Sequence, residues 1–239
     1  MPTNWSQLAD DLSAALHPTA PPIAITFSAE SPEGVEPYDA PMPAPTPDGR
    51  TGRVPAGCVF WMRSTDRTFT TVAEDHANCS VGSVTHGFKS WDDVTGNADV
   101  AAILESGWAT MEMIPQIPIV TERPEAITYG PLAETPIDPD VVLIRLNAKS
   151  LMLLSDALPG LAVEGKPQCH IVAMAKEHGE VAASVGCMLS RVRTGMPSTD
   201  VTCAIPGPRL AEVVDKVRST AEVDALVAKY AADDSQRFA

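Results

Sequence analysis

The run Val141-Val142-Leu143-Ile144, inside "DPDVVLIRL" at 138–146, constrains the fold more than any other stretch. Its unbroken apolar character is that of a strand buried on both faces, which requires a sheet with helices packed on it. "PIAITF" at 22–27 is a second short, partly β-branched run and reads as another buried strand. Around them lie amphipathic segments. "WSQLADDLSAAL" at 5–16 sets Trp5, Leu8, Leu12 and Leu16 on one helical face, and His17 beside Pro18 ends it. "DVTGNADVAAILES" carries an N-cap signal at Thr95 or Asn97 and an apolar face of Val100, Ile103 and Leu104. "SLMLLSDALP" reads as a helix capped by Ser150, and the stretch after "PGPR" as two amphipathic helices. The expectation is a single α/β (α+β) domain over residues 1–239, with a mixed sheet.

Two longer segments look alike. "CVFWMR" at 58–63 and "TFTTVAE" at 68–74 flank the polar "STDR" and are expected to form a β-hairpin. It leads into "DHANCSVGS", a cysteine turn opening a helix near Ser80 to Ser83. "CHIVAMAKEHGEVAASVGC" at 169–187 repeats the sequence of strand, turn, strand and cysteine turn. Cys58 precedes Cys79 by 21 residues and Cys169 precedes Cys187 by 18, and Ser-Val-Gly recurs at 80–82 and 184–186. These parallels predict an internal duplication of a hairpin–cysteine turn–helix unit, with halves at about 1–115 and 138–232. Residues 31–55 hold seven prolines and three glycines, which excludes a packed helix or central strand and predicts a flexible insertion.

Charge excludes some partners. The formal net charge is −14 and the 17 Lys and Arg are scattered, so a polyanion or an anionic membrane surface would be repelled. No nucleic-acid or membrane partner is expected. "MPTNWSQLADDLSAAL" lacks the basic start of a signal peptide, and no run approaches the roughly 18 apolar residues of a membrane span. The expected compartment is the cytoplasm, where thiols stay reduced and cysteines serve as core residues, metal ligands or reactive thiols before disulfides. The sequence names neither a small-molecule nor a redox partner, and a homo-oligomer is compatible with it.

Cys58, Cys79, Cys169 and Cys187 therefore carry the candidate chemistry. "NCSVGS" and "VGCMLS" both read as loop-to-helix transitions, where free N–H groups and the helix dipole stabilise a thiolate. If the two units meet across a pseudo-twofold axis, all four cysteines reach one locus and suit an iron–sulfur cluster or a tetrahedral zinc. His76, three residues before Cys79, is a further candidate ligand. The spacing lacks the close C-x₂-C pairs usual for zinc. Two other readings stay open. One is a metal-free thiol enzyme or redox sensor using Cys187, beside Arg191, or Cys79. The other is a non-catalytic small-ligand module whose cysteines only fill the core. No G-x-S-x-G elbow, HExxH or P-loop is present.

The segments "PPIAITF", "CVFWM", "DHANCSVGSVTHGF", "YGPLAETPIDPDVVLI", "ASVGCMLSR" and "IPG", in that order from about Pro21 to Val217, resemble the family known as domain of unknown function 169. The resemblance implies a fold and a set of cysteines at 58, 79, 169 and 187, with Cys203 left as a core residue, and no reaction. The chain departs from the family pattern at Met188, where a glycine follows the fourth cysteine, at Ser80, where proline is frequent, and in the length of 31–55.

Overall fold

A computed structural model describes residues 3–39, 57–165 and 167–235. Seven strands make one mixed sheet: β1 (Ile23–Ser28), β2 (Phe69–Thr71), β3 (Ala126–Pro131), β4 (Val141–Leu146), β5 (Ala162–Glu164), β6 (Ala182–Ser184) and β7 (Val201–Pro206). Their order is β2-β3-β1-β4-β7-β6-β5. Neighbours are antiparallel except β5 and β6. Outward from the β1–β4 pair, the two halves share an order in which the last strand lies next to the first and the middle strand lies outside. Their helices differ, β5 has no counterpart, and internal duplication is not established.

Among the described residues the α-helices are α1 (Trp5–Leu16), α2 (Gly57–Arg63), α3 (Ser80–Thr85), α4 (Ala98–Glu105), α5 (Ala148–Ala157), α6 (His170–His178), α7 (Met188–Thr194) and α8 (Leu210–Ser235). They cover both faces of the sheet, which is the α/β arrangement expected. Val142, Ile144 and Leu146 of β4 pack with Leu12 and Leu16 of α1, Leu153 and Leu154 of α5, and Val213 and Val217 of α8. Val141 and Leu143 face the other way, toward Phe60 and Trp61 of α2 and Ile171 and Val172 of α6. Alternate residues of one strand thus enter two cores, and the unbroken apolar run follows from that. Among the described residues no helix is long and apolar enough to cross a membrane.

Several local expectations are corrected. The segment 58–63 is helix, not strand, so no hairpin joins it to β2. The residues it buries, Gly57, Phe60 and Trp61, follow helical spacing, and burial of that face overrides the β preference of Val, Phe and Trp. The segment 170–178 is also helix. Ala, Met, Lys and Glu favour it, and Gly179 closes it in the left-handed conformation at φ 66°. Asn147, not Ser150, caps α5, its side chain accepting from the Ser150 N–H. The C-terminal region is one helix, α8, because no glycine or proline interrupts 210–235. Of the proline-rich stretch, residues 40–55 lie outside the described residues. Its first part is held on β2, where Tyr38 N donates to Thr70 O at 2.7 Å and Thr70 N to Glu36 O at 2.9 Å.

Candidate functional site

Each of the four cysteines stands at the start of a helix. Cys58 is the second residue of α2, and Cys79, Cys169 and Cys187 are the N-cap residues of α3, α6 and α7. At two of these caps the sulfur takes the role usual for a serine or aspartate oxygen. Cys79 Sγ accepts from Gly82 N at 3.3 Å, and Cys187 Sγ accepts from Ser190 N at 3.3 Å. The Ser190 hydroxyl reaches back to the Cys187 N–H at 3.3 Å, closing the cap from both sides. The turn after Cys79 is anchored from α4. Asp99 accepts from Ser80 N at 2.9 Å and Ser80 Oγ at 2.7 Å, and Asn97 Nδ2 donates to Ser80 Oγ at 2.8 Å.

The helices converge on the sheet face opposite α1, α5 and α8: α2 lies against α7 and α3, and α3 against α6. Cys58, Cys79, Cys169 and Cys187 line one small cavity there, of about 30 Å³. Its walls are mostly apolar, from Val81, Ile103, Trp108 and Leu189. Beyond Ile103 and Trp108 lies a second, equally apolar hollow bounded by Met113, Ile114 and Ile117. The polar side of the cavity is Gln168 and Ser190. The buried Gln168 donates to Thr202 Oγ1 at 2.9 Å and accepts from the Ser190 hydroxyl. Cys58 and Cys187 are half-buried, whereas Cys79 and Cys169 are buried. Burial, then the neighbouring Cys79, pushes the Cys169 thiol well above its ordinary pKa, against the opposing Thr85 hydroxyl. Cys203 lies across the sheet in the other core, fully buried, and its thiol is pushed up by burial alone.

His76 is not at the cavity. It is fully buried against Phe60 and Phe88, with ring centroids 4.8 Å away in each case. Its Nε2 lies 3.1 Å from Thr71 Oγ1, whose own hydrogen goes to Ile127 O at 3.0 Å, so Nε2 is the donor. Arg191, expected beside Cys187, instead donates to the carbonyls of Val185, Pro197 and Asp200. Among the described residues, no group of three or more His, Cys, Asp or Glu side chains is set to hold a metal ion. Sequence reading missed Gln168, Ser190 and Trp108. Gln168 adjoins a candidate cysteine, which is the only signal that could have drawn notice.

His86 packs beneath the start of α2, where a Cβ on Gly57 would come within 2.7 Å of its Cε1. Its Nδ1 faces Gly82 O at 2.8 Å and must carry the hydrogen. Burial holds His86 down at about 4 and His76 well below the ordinary histidine range. Both are therefore neutral in the folded protein, while the unfolded chain takes up their protons near 6.5. Stability is expected to fall as pH drops from 6.5 toward 4, by on the order of 3 kcal/mol from His86 alone. Urea midpoints at pH 7 and pH 5 check this, and equal midpoints would refute it.

Residues 11–216 match the model of DUF169, described as "Uncharacterised ArCR". The chain belongs to the DUF169 family. No curated protein matches the chain, and no solved structure does. The DUF169 match begins within α1, takes in the whole sheet and all five cysteines, and ends in the first turns of α8. The rest of α8 carries an exposed apolar stripe of Val223, Leu226, Val227 and Tyr230 that lies outside the DUF169 match.

Proposed function

We propose that this DUF169 protein is an iron–sulfur protein whose cluster is held by Cys58, Cys79, Cys169 and Cys187. The observation that carries the reading is that these four residues, from distant parts of the chain, line one cavity. A four-cysteine donor set fits both a cluster and zinc. A cluster carries its metals at separate corners, so its thiolates stand farther apart than the ligands of one ion. Four thiols around a common space match that wider arrangement. The backbone N–H groups of Gly82 and Ser190, directed at Cys79 and Cys187 sulfur, suit charged sulfur as acceptor. The mostly apolar walls shield the buried sulfurs of Cys79 and Cys169 from water, and Gln168 orients Ser190 and thereby the Cys187 turn.

A bound cluster would supply one-electron transfer. Loading deprotonates the thiols, and burial, which raises the Cys169 pKa, opposes this as pH falls. Partial exposure of Cys58 and Cys187 supports a second reading, in which one of them is a reactive thiol in a metal-free protein. Purification without oxygen, followed by iron, sulfide and zinc analysis and a visible spectrum, tests the first reading. Iron and sulfide in equal amounts, with broad visible absorption, are expected. Reconstitution with ferrous iron and sulfide that leaves the protein colourless would sink it. Rapid alkylation of one cysteine in that colourless protein would then favour the second.

A further inference from the structure

We propose that Tyr129 is a positioning residue of the thiol site, its hydroxyl donating a hydrogen bond to the sulfur of Cys58 or Cys169 once that sulfur is a thiolate. This rests on the four-cysteine reading above. Tyr129 sits in β3, between Phe69 of β2 and Ile25 of β1, and is fully buried. Its ring is fixed by Phe60, stacked at 5.4 Å between centroids, and by Phe69 at 5.9 Å. Its hydroxyl has no hydrogen-bond partner among the described residues.

Burying an unpaired hydroxyl is unfavourable, and a phenylalanine would fill the same space without that penalty. The hydroxyl is accounted for if its acceptor arrives with another state of the site. Cys169 belongs to the same buried cluster as Tyr129, and Cys58 packs against that cluster. A phenol, with an ordinary pKa of about 10, is protonated at neutral pH and donates to a thiolate. Neutral thiols are weak acceptors, whereas a thiolate forms a short, charge-assisted bond. Tyr129 would then do from the sheet side what the Gly82 and Ser190 N–H groups do from the helix side.

The test is Tyr129→Phe, which keeps the ring and its packing. Wild type and variant are each reconstituted with ferrous iron and sulfide, and their metal content and midpoint potential are measured. The expected result is equal metal content and a more negative potential in the variant, because hydrogen bonds to sulfur favour the reduced cluster. An unchanged potential overturns the proposal, since loss of packing alone would not leave metal content intact while moving the potential. If wild type takes up no cluster, the iron–sulfur reading fails but the role of Tyr129 is still read in the metal-free protein. There, iodoacetamide labelling of Cys58 or of Cys169 at pH 8 should slow by roughly threefold or more in the variant, because the thiolate loses its donor. Equal labelling rates at both cysteines in that arm would overturn the proposal as well.

Discussion

Replacing Cys169 with serine is expected to strip iron and sulfide from the reconstituted protein while leaving the fold in place. Cys169 is buried at the cavity, next in sequence to the helix it caps. Serine is a close match in size and a favoured N-cap residue, so α6 should still start where it does. What the hydroxyl cannot supply is a thiolate ligand. The loss in metal retention should exceed the roughly 10–100-fold that follows removal of an outer partner of a metal ligand. The same holds for Cys58→Ser, Cys79→Ser and Cys187→Ser, because all four line the cavity. Cys203→Ala is the control. It empties a buried position in the opposite core, so it should lower stability without changing iron or sulfide content. Iron, sulfide and urea unfolding measured on all five variants decide the matter. Retention of full metal content by Cys169→Ser, or an equal loss in Cys203→Ala, would exclude this four-cysteine set.

The largest effect on stability is expected from Gly207→Ala. Gly207 begins a single turn of 3₁₀ helix at the exit of β7, and its N–H donates to Asp140 O at 2.8 Å. A methyl group there would lie far inside contact distance of the Pro139 carbonyl, which is backbone and cannot swing aside. The contact joins the segment entering β4 to the segment leaving β7. Asp140 also accepts from Phe27 N at 2.7 Å and from Lys176 Nζ at 3.2 Å, so the strain would spread to β1 and α6. Overpacking of a tight site costs about 1–3 kcal/mol and here should reach the upper end, about 3 kcal/mol. For a chain of this size that corresponds to a fall in Tm of roughly 6–12 °C. A melting curve unchanged by the substitution would show that the β4 and β7 ends part more easily than the packing implies. Gly57→Ala should be milder in stability, since the neighbour is the His86 ring and a side chain has some freedom to move.

The parts of the fold legible in the sequence are those whose periodicity has one meaning. The run in β4 is apolar on both sides because it divides two cores, and α1 shows its buried stripe over a full twelve residues. Helices α2 and α6 were not legible, for a physical reason. Each is under ten residues long, and "CVFWMR" and "HIVAMA" combine β-branched or aromatic residues with no long polar face to set the period. The cysteine turns were readable as helix starts because the caps are local, with sulfur and N–H three residues apart. That the four cysteines share a cavity depends on the β1–β4 pairing and on helices crossing between halves, which no local pattern encodes. Tyr129 was hidden altogether, since "AITYGPL" gives no sign that its hydroxyl lacks a partner.

The antiparallel β1–β4 pair has one more consequence. It is the seam at which the two cysteine pairs, one from each side of the chain's midpoint, are brought together. Any group bound by all four sulfurs would be a clasp closing a long loop between Cys79 and Cys169. In the unfolded chain such a clasp removes conformational freedom, and the entropic cost of closing a loop rises only slowly with its length. Occupancy of the cavity would therefore tie the halves together beyond the β1–β4 pairing that already makes one sheet of them.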